Sequence, residues 1–263
     1  MSAAESTTRF ADLKDLFRRL RCNWRWVAAQ FGGTALLIAI GLAWTRLPEK
    51  HWWQVALSLG LPVLLAISAL ELEAGTLRSL AEDDGKRVKL VWGALSLLIW
   101  IALVWAYWWV LGWCDDQIPA WAGYLNSKAS AHQRVTIFSY EHIYLWLLKV
   151  DWILRWIAIP AKVIPYAAAS ARWGWRLPWR RIFRLLRNWR WWLGVALAAF
   201  VAVWIPGKLF EAEPSGTVSA QMWHVGLKLA LAYLLGVGSW VLLLGWVAVL
   251  FGGTQPLADT ETK

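Results

Sequence analysis

Six apolar runs of about twenty residues follow one another along this chain, and a helix rising 1.5 Å per residue needs about that length to cross the hydrocarbon of a bilayer. The runs fall at residues 24–45, 51–72, 90–113, 142–169, 191–209 and 221–250. Composition agrees: 59% of residues are hydrophobic and 17% charged, and mean hydropathy is +0.43. Soluble domains are about 45–50% apolar and about 25% charged. The expected fold is an all-α integral membrane protein of about six transmembrane helices, with basic amphipathic interfacial helices. Residues 1–263 read as one polytopic domain, because no stretch is long and polar enough to form a second, soluble one.

The fourth run is the unusual one, since it carries Lys149, Asp151, Arg155 and Lys162 together with Pro160 and Pro165. Counting Lys and Arg decides whether it crosses. With six spans and the N-terminus inside, inner segments hold 18 of the 27 basic residues, and outer loops hold only Arg46, Lys50, Lys128, Arg134 and Lys208. That asymmetry is the positive-inside pattern of a cell (inner) membrane protein with both termini cytoplasmic. If the fourth run only lay on the surface, the arginine-rich segment after it would be placed outside. No cleavable signal is expected. Glu5, Asp12 and Asp15 give the N-terminal segment mixed charge, and the run that follows is of full span length.

Two basic segments flank these spans. Residues 9–22 place Phe10, Leu13, Leu16, Phe17 and Leu20 at helical spacing between basic residues, and residues 172–190 form a second basic stretch. Arg18, Arg19 and Arg21, with Arg180, Arg181, Arg184 and Arg187, are the expected contacts to anionic headgroups of the cytoplasmic leaflet. The net charge of +10 sits beside apolar spans and among 25 tryptophans, so it reads as a membrane surface and not as a nucleic-acid site. Many of the tryptophans cluster at span ends, where indoles anchor at headgroup level.

Phe17–Trp26 recurs, one residue shorter, as Phe183–Trp191, both ending in Asn-Trp-Arg-Trp. Downstream, Trp53, Val55, Leu57 and Leu59 match Trp223, Val225, Leu227 and Leu229 at a constant offset. The expected organisation is therefore an internal duplication: unit one at 9–75, central spans and loops at 76–175, and unit two at 176–251, in parallel orientation. Ala29 and Gly33 align with Gly194 and Ala198, an i, i+4 pairing of small residues that predicts close packing of spans 1 and 5.

Charges inside spans face protein or water and are functional candidates by default. On an unbroken helix Asp151, Arg155 and Lys162 fall within about 40° of one another, with Tyr144 and Tyr166 near that face. Asp151, Arg155, Lys162 and Tyr144 are thus the candidate intramembrane polar site. Lys228 is expected to snorkel outward, and Pro62, Pro160 and Pro165 to mark kinks. The longest polar connection is expected at 115–140, punctuated by Pro119, Gly123 and Asn126.

No hydrolase, zinc-protease, nucleotide or dinucleotide motif occurs, so no catalytic residue, metal or cofactor is expected, and the chain reads more readily as a non-enzyme. Cys22 and Cys114, placed on opposite faces, form neither a disulfide nor a metal motif. His51, His132, His142 and His224 all fall on the outer side, without metal-ligand spacing in any one helix. Residues 105–116, a tryptophan-rich run ending Trp113-Cys114-Asp115-Asp116, resemble over about a dozen residues the periplasmic segment of haem-handling proteins of cytochrome c maturation. They lack that family's glycine spacing and terminal Trp-Asp pattern.

Two main functional expectations follow. One is a membrane scaffold, anchor or accessory subunit with a protein partner or self-association. The other is a small transporter or channel-like protein using the charged face of span 4. Haem handling is a minor third.

Overall fold

The computed structural model describes residues 3–47, 50–80, 90–135, 137–211 and 217–252. Among them no strand occurs, and the chain folds as a bundle of long helices. A basic surface helix, α1 (Ala3–Cys22), leads into α2 (Trp24–Trp44), and α3 (Trp52–Ser79) returns. Then α4 (Leu90–Lys128) runs out, a short α5 (Ala131–Val135) turns the chain, and α6 (Tyr140–Ile153) comes back into α7 (Ile159–Trp173) through a π turn at Leu154–Ala158. A second basic helix, α8 (Trp179–Arg187), precedes α9 (Trp189–Ala199), a second π turn at Phe200–Trp204, α10 (Ile205–Glu211) and the long α11 (Val218–Gly252).

Five helical stretches are long and apolar enough to cross a membrane: Trp24–Trp44, Trp52–Ser79, Val91–Lys128, Trp189–Glu211 and Val218–Phe251. The chain is therefore a multi-pass helical membrane protein. The fourth expected span is too charged to join that set, yet it is one unbroken helical rod from Tyr140 to Trp173, packed along α4. Contacts run down the pair in antiparallel order. Gly93 lies so close to the Ala171 carbonyl that a Cβ there would stand 2.7 Å from it. Trp100 stacks on Tyr166 at 5.0 Å, Trp108 meets Trp156 edge-on at 5.1 Å, and the Asn126 side chain donates to the Phe138 carbonyl at 2.7 Å.

Both π turns end immediately before an Ile-Pro pair, Ile159-Pro160 and Ile205-Pro206. Proline has no N–H to donate and its ring crowds the carbonyl four residues back, so the helix widens by one residue upstream of it. Pro160 was expected to disturb its helix and Pro206 was not. Pro62 and Pro165 lie inside helices that carry no such turn.

The polar loop expected at 115–140 is mostly helix. α4 continues for 39 residues through Pro119, Gly123 and Asn126, because Ile118 and Ala122, one turn apart, are 3% and 0% exposed on the α6 side. Tertiary packing has overridden the turn residues. At about 58 Å, α4 is much longer than the ~30 Å of hydrocarbon.

The core is gathered at the end of the bundle that carries the basic helices. It is built from Leu70, Ala74 and Leu77 of α3, Ala168 and Ala169 of α7, Ile182 of α8, Trp191 and Val195 of α9, and Leu244 and Val247 of α11. Toward the other end the same helices expose their apolar faces: Trp52, Leu59, Trp105, Trp109, Val218 and Trp223 all lie more than two-thirds exposed.

The central helix is α11, not a pair of spans 1 and 5. Half of its apolar window is buried, against 6% for α2. The small residues work within each hairpin instead. A Cβ on Gly33 would meet Leu72 of α3 at 2.9 Å, and one on Gly194 would meet Trp246 of α11 at 2.8 Å.

Candidate functional site

The charged residues of the fourth rod form a bridge to α4. Arg155, in the π turn, donates through Nε to Asp151 at 2.7 Å and through Nη2 to Asp115 of α4. Asp151 and Arg155 are thus brought together as expected. Asp115, assigned to a loop by its sequence neighbours, is the third member. Two carboxylates share one guanidinium, and the outer oxygens of both, Asp115 Oδ1 and Asp151 Oδ1, are buried without a hydrogen-bond partner.

Lys162 is not part of this site. The π turn inserts one residue between Asp151 and Lys162, rotating the face by about 100°, and the lysine is exposed. Tyr144 lies on the same face of α6 as Asp151 but two turns, about 10 Å, away from it, where it stacks on Tyr140 at 6.1 Å, and Tyr166 belongs to an aromatic cluster with Trp100 and Trp179. Asp115 also lies about 37 Å along α4 from Leu90, farther than the ~30 Å hydrocarbon thickness. The bridge therefore sits toward the end opposite the basic helices and not at mid-bundle, which accounts for charges being tolerated there.

A second polar cluster went unrecognised in the sequence. Glu73 of α3 accepts from Gln30 Nε2 of α2 at 2.7 Å on one oxygen and from Trp240 Nε1 of α11 at 2.8 Å on the other. The Thr76 hydroxyl in turn donates to Gln30 Oε1 at 2.8 Å. Gln30 and Thr76 are 1% and 0% exposed. The available signal was Gln30 itself, an amide inside an otherwise apolar span, with Glu73 and Thr76 one turn apart on α3.

The basic face holds most of its expected members. Arg18, Arg21, Arg180, Arg181, Arg184 and Arg187 are exposed at one end of the bundle. Arg19 differs: at 6% exposure it pairs with Asp15 at 2.8 Å and reaches the Leu80 carbonyl, so it docks α1 and does not face lipid. The apolar stripe of α1 divides in the same way. Leu16 packs on Gly245 of α11, whereas Leu13 and Phe17 point outward. On α8, Ile182 and Leu185 are buried while Trp179 and Phe183 are exposed among the arginines. Lys228 is 8% exposed, so it is held within the bundle and does not snorkel.

Among the described residues no group of three or more His, Cys, Asp or Glu side chains converges on a metal position. His51 stacks on Trp53 and His142 lies 2.8 Å from the Ser139 hydroxyl, at different places on the structure. In the tryptophan-rich run, Trp105, Trp109 and Trp113 form an exposed stripe at i, i+4 spacing. Cys22 and Cys114 are both free thiols. No protein-family model, no curated protein and no solved structure matches this chain.

Proposed function

We propose that this protein is a six-span scaffold or accessory subunit of the inner membrane, with both termini and the basic helices on the cytoplasmic side. The observation that carries this reading is the bridge of Arg155 to Asp115 and Asp151: the charges that could have lined an ion path instead clamp α4 to the rod beside it. Two features support it. The exposed arginines of α1 and α8 gather at one end, suited to an anionic leaflet. Away from that end, apolar faces of several spans are left free for a protein partner, a second copy or lipid. The placement of Asn23 and Asn188 at equivalent helix starts supports an internal duplication of units one and two.

Transport is the alternative reading, and the two orphaned carboxylate oxygens are the observation in its favour. Removing one partner of a fully buried ion pair costs about 3–5 kcal/mol, and less here, where the Arg155, Asp151 and Asp115 side chains are 18%, 17% and 37% exposed, while replacing all partners by apolar groups is often neutral. Because Asp115 is a member, Asp151→Leu with Arg155→Leu still strands one carboxylate. Only the triple change, adding Asp115→Leu, should restore the folding lost in Arg155→Leu, followed by thermal aggregation in detergent. A scaffold predicts that the folded triple variant complements a deletion strain. A folded triple variant that fails to complement would support transport.

A further inference from the structure

Glu73 presents a binding problem unlike that of the bridge, because among the described residues no cationic side chain touches it. Both of its oxygens accept from N–H groups. Both donors are neutral, however, and among the described residues no lysine or arginine pairs with Glu73. It lies seven residues from Leu80, about 10 Å along α3 from the basic end of the bundle. A largely enclosed carboxylate without a countercharge is costly, and the cost is relieved either by a proton or by a cation.

A way in for one is present. A cavity of about 330 Å³ between α2 and α3, open on one side, is lined by Thr34, Leu37, Ile38, Leu65, Ala69 and Leu72 and ends on Glu73. That volume is at the lower end of small-ligand sites, and apolar walls with one convergent charged group are their usual chemistry. The walls select the rest of the ligand. Thr34 is the one polar side chain besides Glu73, so nothing there would receive a phosphate, and a phospholipid headgroup would strand its own charge. We propose that the α2–α3 groove binds an amphiphilic primary amine, with its ammonium on Glu73 and its alkyl chain along Leu37, Ile38 and Leu65. Gln30 and Trp240 hold the carboxylate in place, and Thr76 orients Gln30 by donating to its carbonyl oxygen.

The test uses the full chain in maltoside micelles at pH 7, with octylamine as the probe and octanol as its uncharged counterpart. Octylamine should raise the thermal aggregation midpoint by a few degrees and octanol at the same concentration should not. Glu73→Gln should weaken the octylamine effect about tenfold or more, the scale of a lost charge-assisted hydrogen bond. If Glu73→Gln does not fold, Ala69→Phe fills the groove while leaving Glu73 and its donors intact, and it should abolish the octylamine response. Equal shifts from octylamine and octanol, or an undiminished shift in a folded variant, would overturn the proposal. So would reaction of Glu73 with dicyclohexylcarbodiimide at pH 7 that octylamine does not slow, since the occupant would then be a proton. Stabilisation in nanodiscs by phosphatidylethanolamine over phosphatidylcholine, without any octylamine effect, would overturn it in favour of a lipid headgroup.

Discussion

Asn23-Trp24-Arg25-Trp26 and Asn188-Trp189-Arg190-Trp191 each stand where a basic surface helix meets a spanning helix, and the two are held differently. Asn23 turns back: its side-chain amide donates to the Arg19 carbonyl at 3.0 Å and closes α1. Asn188 looks forward, its side-chain oxygen accepting from the Arg190 N–H at 3.1 Å to open α9. Arg25 lies exposed, 6.0 Å from the Trp24 ring, whereas Arg190 pairs with Asp12 at 2.8 Å. Trp26 remains 39% exposed and Trp191 is fully buried, donating to the Ala161 carbonyl at 2.7 Å. Identical residues thus make a partly exposed edge in one place and a core in the other. The difference is set by neighbours, since α9 is enclosed by α7 and α11 while α2 lies at the rim.

The sharpest way to break that comparison is to truncate each tryptophan. Trp191→Ala removes a buried side chain and strands the Ala161 carbonyl, so it should cost about 3–5 kcal/mol. Trp26→Ala should cost about 1 kcal/mol, because much of its ring already lies outside the protein. Thermal aggregation midpoints of the two variants, measured side by side in one detergent, check this. Equal losses would mean that the two junctions carry equal weight and that the core does not centre on α9 and α11.

A smaller contrast lies in the glycines facing tryptophans. A Cβ at Gly75 would stand 2.3 Å from the Trp26 ring, and one at Gly194 would stand 2.8 Å from Trp246. Distance alone makes Gly75→Ala the worse change. The atoms approached argue otherwise. At Gly75 it is the far edge of a half-exposed indole, free to swing outward. At Gly194 it is the near side of a ring whose Nε1 donates to the Arg190 carbonyl at 3.3 Å. Gly194→Ala should therefore cost about 1–3 kcal/mol as an overpacked contact and Gly75→Ala less than about 1. The reverse order, in the same midpoint assay, would show that the Trp26 edge is as rigid as the Trp246 face.

Sequence periodicity was enough to place the five long apolar helices, the two basic helices and the Asp151–Arg155 pair, because each depends on residues close in the chain. What it missed depends on partners far away. Asp115 read as loop because Pro119 and Gly123 follow it, yet Ile118 and Ala122 are buried and α4, packed along α6, stays helical through them. Lys162 left the predicted face because a π turn, favoured by Pro160, shifts the register. Gln30, Glu73 and Trp240 lie on three helices separated by up to 210 positions, and no local pattern joins them.

The smallest expected effect separates the two surface helices by pH. α1 carries Asp12 and Asp15 among its basic residues, whereas the Trp179–Arg187 sequence of α8 has no acid at all. Partial burial pushes the Asp15 carboxyl up, but hydrogen bonds and charge from Arg19 and Arg18 outweigh it and hold the group below its ordinary value of 3.8. A carboxyl whose folded pKa is depressed contributes stability that is complete above its unfolded value and is lost as pH falls through the folded one. Docking of α1 on α11 should therefore be constant from neutral pH down to about 4 and loosen below that, whereas α8, pinned by Ile182 and Leu185, should be unaffected. Hydrogen exchange of the two helices in micelles, compared at pH 6 and pH 3 after correction for intrinsic rates, reads the difference directly. Asp15→Asn should reduce the pH dependence of α1, whose Asp12–Arg190 pair remains, and leave α8 as it was. If α1 and α8 instead loosen together, or if Asp15→Asn leaves the acid response of α1 intact, then the Asp15–Arg19 pair is not what fastens the N-terminal helix, and Leu16 against Gly245 holds it together with the Asp12–Arg190 pair.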